Sequence, residues 1–181
     1  MKTLRIILAI TTTLIVIVYA GKANAQMSEY KFKQQFDKAF EHTLNGEADK
    51  AYTILKMLHT ADSNHAQVTY LLALNNIKLM GAGFESAEYL KAVVNQTSVY
   101  HQTGRVEDRT VPVKAWFYLA KSYENTNEYD KAINAFRNYM SCIQMASLEH
   151  KREIVHAIKE LRTMKAGESY GVGNELASQK P

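Results

Sequence analysis

Apolar residues recur at spacings of three and four along most of this chain, and strand-like alternation is almost absent. The first such stretch predicts a helix from about Glu29 to Leu44, with Phe32, Phe36, Ala39 and Phe40 on one side. Asn45-Gly46 ends it, because glycine readily takes the left-handed conformation needed just past a helix end. A second helix is predicted from about Glu47 to Thr60, carrying Ala51, Ile54, Leu55 and Leu58. Ala61-Asp62-Ser63-Asn64 follows as a turn, with Asn64 placed to cap what comes next. The third helix spans about His65 to Met80, with Tyr70, Ala73, Leu74 and Ile77 on one face, and Gly81-Ala82-Gly83 breaks it. A fourth runs from about Glu85 to Val94 through Leu90 and Val93.

The pattern then lapses. Asn95 to Val111 is mostly polar, longer than the usual connection, and leads to Pro112 in a position suited to a helix start. Two clear helices follow, about Val113 to Asn125 and about Glu128 to Cys142. Ser147 opens a seventh, to about Lys165, with Ile154, Ala157, Ile158 and Leu161 as its apolar stripe. Glu149 near its start and Arg162 and Lys165 near its end suit the helix dipole. Gly167 is expected to stop it, leaving 167–181 as a loose tail.

The beginning of the chain has a different character. Lys2 and Arg5 give a short positive start, and Ile6 to Ala20 is an apolar run of 15 residues. That is short of the ~20 residues a bilayer-spanning helix needs. Ala23 and Ala25 put small residues at −3 and −1 of a cleavage site before Gln26, so 1–25 is predicted to be a secretory signal peptide. Since Gln26 is not a cysteine, lipid anchoring at this cut is excluded. No later stretch is apolar enough to span a membrane, so the expected location is periplasmic or secreted, with 26–166 as one helical domain.

Removing that segment changes the charge. The formal +4 includes Lys2, Arg5 and Lys22, so the processed chain carries 19 basic and 18 acidic residues, a net of +1. Its basic pI therefore gives no reason to expect nucleic acid. Cys142 is the sole cysteine, which rules out an intrachain disulfide.

Helices of this length in pairs call for a search for internal repeats. The best unit is Val113 to Ala146, with Trp116, Leu119, Ala120 and Tyr123 on its first helix and Ala132 and Phe136 on its second. Small residues at Ala120 and Ala132 let two antiparallel helices approach closely, while the aromatics fill the volume around that contact. This spacing resembles the tetratricopeptide pattern, W-x2-L-x3-Y followed by A-x3-F, with Ala120 in place of the usual glycine. Tyr139 and Gln144 depart from it, standing where a small residue and a proline are usual. An earlier unit from Phe32 fits less completely, with Ala39 and Ala51 at the small positions, Gly46 in the turn and Leu55 at the large one. Gln35 there replaces the tryptophan. A middle unit has Tyr70, Ala73, Leu74 and Ile77 on its first helix, with Ser86 and Ala87 competing for the small position. The fold class this implies is all-α: about three tetratricopeptide-type hairpins stacked as a short right-handed solenoid with a C-terminal capping helix.

A narrower resemblance rests on Ala115-Trp116-Phe117-Tyr118-Leu119-Ala120-Lys121-Ser122-Tyr123, Glu128-Tyr129-Asp130-Lys131-Ala132-Ile133 and Ala87-Glu88-Tyr89-Leu90-Lys91-Ala92. These runs are similar to the repeat region of bacterial envelope proteins that place such repeats ahead of a β-propeller and a domain resembling outer membrane protein A. Some of those proteins belong to secretion and gliding machinery. With Pro181 as its last residue, this chain is expected to carry neither later domain, so peptidoglycan binding is not carried over.

The tetratricopeptide resemblance implies a partner groove lined by the first helix of each pair. By position, that gives Phe36 and Phe40, then Asn75 and Lys78, then Lys114, Phe117, Lys121 and Glu124. Lys114 and Lys121 lie about two turns apart and suit a carboxylate or acidic peptide, with Phe117 for apolar contact. The alternative is that both lysines simply form the wet face of an amphipathic helix.

Catalytic chemistry finds little support. No Ser-His-Asp or Cys-His constellation and no phosphate-cradling glycine loop is evident. Glu153-Ile154-Val155-His156 is a single copy of a pair that di-iron bundles use twice, and His150 and His156 point to different sides of their helix. No metal or cofactor is expected. Gly104 to Arg109 is the most distinctive polar segment, either a functional loop or a solvated connector. Asn95-Gln96-Thr97 has the glycosylation pattern, which the bacterial resemblance discounts. The expected function is that of a non-catalytic adaptor binding a protein in the cell envelope. The alternative is a subunit that binds an envelope polymer or carbohydrate.

Overall fold

Ser28 opens the first helix: its hydroxyl accepts the Lys31 N–H at 3.3 Å, satisfying one of the free donors of the first turn. From there the computed structural model describes the backbone of residues 27–143 and 148–178, and the side chains of 27–143 and 150–167. The expected signal segment 1–25, and Ser147 as a helix start, lie outside the described residues. Within them are seven α-helices. These are α1 (Glu29–Leu44), α2 (Ala48–Ala61), α3 (Ala66–Met80), α4 (Phe84–Val93), α5 (Ala115–Asn125), α6 (Tyr129–Cys142) and α7 (Leu148–Ser178). A single 3-10 turn, Val94–Gln96, extends α4. Two-residue strands β1 (Thr97–Ser98) and β2 (Val111–Pro112) pair in parallel, Thr97 with Val111 and Ser98 with Pro112.

Three boundaries differ from the sequence expectation. The α3 cap is His65, whose ring accepts the Val68 N–H, while the Asn64 N–H turns back to the Asp62 carboxylate at 3.1 Å. Pro112 does not start a helix but sits in β2, and α5 begins three residues later at Ala115. A proline is tolerated there because so short a ladder asks little of its missing N–H. Finally, α7 runs through Gly167 to Ser178 instead of ending. Positive φ is found at Gly46, Gly81 and Gly104, which close turns, but not at Gly167. A glycine in right-handed conformation weakens a helix by ~1 kcal/mol and does not terminate it.

Each helix packs against the next in sequence, and α1 also reaches α3. Two apolar clusters result. Phe36, Ala39, Ala51, Leu55, Leu58, Leu71 and Leu72 form the first, across α1, α2 and α3. The second runs from Tyr70 and Ala73 of α3 through Leu90, Leu119, Ala120, Tyr123, Ala132 and Phe136 to Ile154 and Leu161 of α7. Leu74 and Trp116 lie half-buried against it. Helix α3 serves both clusters, so it is buried nearly all round, and even Gln67, Thr69, Asn75 and Asn76 are inside. Fully burying a leucine or phenylalanine contributes ~1.5–3 kcal/mol, which makes α3 the main source of cohesion between the clusters. Between α4 and α5 the buried hydroxyls of Ser86 and Ser122 meet at 2.9 Å. Among the described residues, no helix is long and apolar enough to cross a membrane.

Candidate partner-binding surface

The polar stretch after β1 is folded against the helices, with Gln102, Thr103, Arg105, Glu107 and Arg109 exposed and Gly104, Val106 and Asp108 half-buried. Its shape comes first from its own residues. Asp108 accepts the Gln102 N–H at 2.5 Å, the Thr110 N–H at 2.8 Å and the Thr110 hydroxyl at 2.7 Å. The Arg105 N–H bonds the Gln102 carbonyl, and the Asp108 N–H bonds the Arg105 carbonyl, giving two successive turns. Burial pushes the Asp108 carboxyl upward, but the donors from Thr110 and Gln102 outweigh it and hold the pKa at about 2. The result is a compact loop closed at its base by the β1–β2 pair.

That loop lies on α1 and α3. Successive turns bring the carbonyls of Gln102, Arg105 and Asp108 to one point, and the buried Gln67 amide donates to them at 3.4, 3.1 and 3.2 Å. Two amide protons are shared over three acceptors, while Gln67 Oε1 accepts the Gly104 N–H at 3.0 Å. Gly104, at φ 83°, presses on Phe40; a Cβ there would stand 2.4 Å from the ring. Val106 packs against the α1–α3 cluster, and its carbonyl accepts His65 Nε2–H at 2.9 Å. Exposed ion pairs flank the contact, Lys33 with Glu107 at 2.5 Å and Arg109 with Asp62 at 2.7 Å.

His65 links the loop to the helix beneath it. Its ring stacks against Phe32, at 5.4 Å, and Phe36, at 5.9 Å. Because Nε2 donates to Val106 and Nδ1 accepts from Val68, the ring is neutral with its proton on Nε2. Burial, aided by the Arg109 charge, lowers its pKa below the usual 6.5. The His101 pKa is also lowered chiefly by burial; the ring faces Asp108 through Nδ1 at 3.3 Å, and its buried Nε2 has no hydrogen-bond partner among the described residues. Beside the loop an open cavity of about 800 Å³ remains, bordered by Met27, Phe32, Lys33, Asp62 and His65.

The residues expected to line a groove fall into two groups. Phe36 and Asn75 are fully buried and present no surface. Packing explains both: Phe36 fills the α1–α3 cluster, and Asn75 donates to the Thr43 hydroxyl and the Leu71 carbonyl at 2.9 Å each. Phe40 is half-buried beneath Gly104. Lys78 is exposed and reaches the Thr43 carbonyl at 3.3 Å. On α5, Lys114 is exposed with its ammonium 5.5 Å from the Tyr118 ring centre, and Lys121 pairs with Glu124 at 2.7 Å. Phe117 is half-buried, edge-on to Phe136. The α5 residues therefore form one accessible strip; of the α1–α3 positions, Phe36 and Asn75 lie in the core, Phe40 lies under the loop, and Lys78 is exposed.

Sequence reasoning passed over Gln67 and His65. The signal available for Gln67 was a lone amide at the head of the run Ala66 to Ala73, where every other long side chain is apolar or aromatic. Among the described residues, no group of three or more His, Cys, Asp or Glu is placed to hold a metal.

Fold and surface together define a class: a mostly helical protein whose helices each pack against the next in sequence, carrying a folded loop on one face. No protein-family model matches the sequence, and no curated protein matches it.

Proposed function

We propose that this protein is an exported, non-catalytic scaffold of the tetratricopeptide type, which holds a protein partner in the bacterial cell envelope, within an outer-membrane complex. The observation that carries this reading is the α5–α6 pair. Leu119, Ala120, Tyr123, Ala132 and Phe136 are all buried at their contact, the positions that give the sequence its repeat spacing. The reach of α1 to α3 across α2 supports hairpins stacked as a short solenoid. The strip Lys114, Phe117, Lys121 and Glu124 on α5 is the surface this reading assigns to the partner, with the lysines meeting an acidic segment.

The test is in-cell crosslinking of the tagged protein, with mass spectrometry of what is captured. A Lys114→Glu, Lys121→Glu variant runs beside it, checked for helical content by circular dichroism. One envelope protein is expected in the wild-type capture and absent from the folded variant. Capture that survives the double substitution removes the α5 strip, and no specific protein in either sample removes the scaffold.

A further inference from the structure

Between α6 and α7 lies an open cavity of about 400 Å³, lined by Asp130, Ile133, Asn134 and Arg137 on one side and by Arg162 and Lys165 on the other. Three cations thus reach one space from two helices. Lys165 is already engaged: its ammonium meets both carboxylate oxygens of Asp130 at 2.6 Å, which offsets the Asp130 charge and fixes the lysine in the wall. The two arginines are exposed and differ from it. Arg137 gives an N–H to the Asn134 side-chain oxygen at 3.3 Å and meets no acid. Arg162 has no hydrogen-bond or ion-pair partner among the described residues. The larger cavity beside the loop is built otherwise, since its cations Lys33 and Arg109 are paired with Glu107 and Asp62. Charge is also unevenly spread along the chain. Residues 150–167 of α7 carry five basic and two acidic side chains, a net of +3, where 27–149 carry 13 basic and 14 acidic, a net of −1. A field of one sign gathered beside a cleft raises the local concentration of anions there.

We propose that the α6–α7 cavity binds a phosphate group, gripped by the Arg137 guanidinium from α6 and the Arg162 guanidinium from α7, with Lys165 behind them on Asp130. A carboxylate offers one planar edge, which a single guanidinium fork covers. A tetrahedral phosphate offers oxygens in several directions, and two arginines on different helices come to it from different sides. Two guanidinium charges facing one cavity repel each other, and an anion between them turns that repulsion into attraction. The site goes beyond the scaffold reading and does not depend on it, because it needs no protein partner. The phosphate can belong to a lipid headgroup or to a soluble ester.

The experiment uses the purified exported protein at fixed ionic strength and two probes. Inorganic phosphate is titrated against chloride, with binding read from the arginine side-chain N–H resonances. Vesicles of phosphatidylglycerol are compared with vesicles of phosphatidylcholine by co-sedimentation. Arg137→Gln and Arg162→Gln each remove one grip at an exposed position, and both are expected to keep wild-type helical content. Arg152→Gln removes the same charge from α7 outside the cavity and serves as the control. Saturable binding of at least one probe is expected, weakened at least tenfold by Arg137→Gln and by Arg162→Gln and less than twofold by Arg152→Gln. Retention on the phosphatidylglycerol vesicles with that pattern assigns the phosphate to a lipid headgroup. Saturable binding of free phosphate with that pattern, without retention, assigns it to a soluble ester. Equal weakening by all three substitutions means general attraction to a positive helix and overturns the site. Binding of neither probe, or binding that never saturates, overturns it too.

Discussion

His65 shows how one side chain can hold three elements at once: it caps α3, stacks on Phe32 and Phe36 of α1, and bonds the Val106 carbonyl of the loop. Every one of these contacts uses the neutral ring. A second proton would go to Nδ1, against the Val68 N–H that it now accepts. In the unfolded chain the ring titrates at its usual 6.5, and in the folded chain it titrates lower, chiefly through burial. Between those values the unfolded state binds more protons, so stability is fully present above 6.5 and is lost as pH falls toward the folded value. Asp108 follows the same sign further down: its contribution is present above 3.8 and disappears as pH falls through about 2. The thermal midpoint is therefore expected to fall between pH 7 and pH 5, and His65→Gln to flatten that slope. An unchanged slope in the variant would mean that His65 is not the group responsible. None of this was legible in the sequence, where His65 stood only as the first residue of a predicted helix. Its loop partner, the Val106 carbonyl, lies 41 residues away along the chain, and no local pattern reports it.

At the scale of elements, the helices were legible because each follows from a local period. Phe36 and Ala39 in α1, Leu55 and Leu58 in α2, and Ile154, Ile158 and Leu161 in α7 sit on stripes of three and four, and these stripes are buried. Boundaries were less legible for two physical reasons. Gly167 carries the residue type of a helix end, yet its backbone stays right-handed within α7. Pro112 carries the residue type of a helix start, yet pairing with Ser98 places it in a ladder. The loop had no period at all, and its docking depends on Gln67 of a different element. The α5–α6 contact yields a direct prediction. Ala120 and Ala132 are both fully buried, so Ala120→Leu inserts volume where none is free. Overpacking of this kind costs ~1–3 kcal/mol. Denaturant unfolding should show a loss in that range with an unchanged m value. A neutral result would mean that the pair is looser than the burial implies.

For the molecule as a whole, the two clusters joined through α3 leave distinct faces for distinct tasks. The α1–α3 face is covered by the loop, and the α5 strip is open, with Lys114 exposed and Lys121 half-exposed beside Glu124. That division explains the partial match between expected and observed groove residues. Positions taken over from the repeat pattern assume that one continuous groove runs along α1, α3 and α5. In the structure, the connection between α4 and α5 lays Gly104 on Phe40, and Phe36 and Asn75 are taken up by core packing. That connection was visible in the sequence as an overlong polar stretch, but its docking surface was not. If the scaffold reading holds, a partner should touch α5 and not the outer face of α2, where Met57 is exposed. The most direct measurement places a photo-crosslinking residue at position 114, and separately at position 57, in the exported protein in living cells. The account predicts one envelope protein captured from position 114 and none from position 57. Capture from position 57 alone, or from neither position, would contradict it.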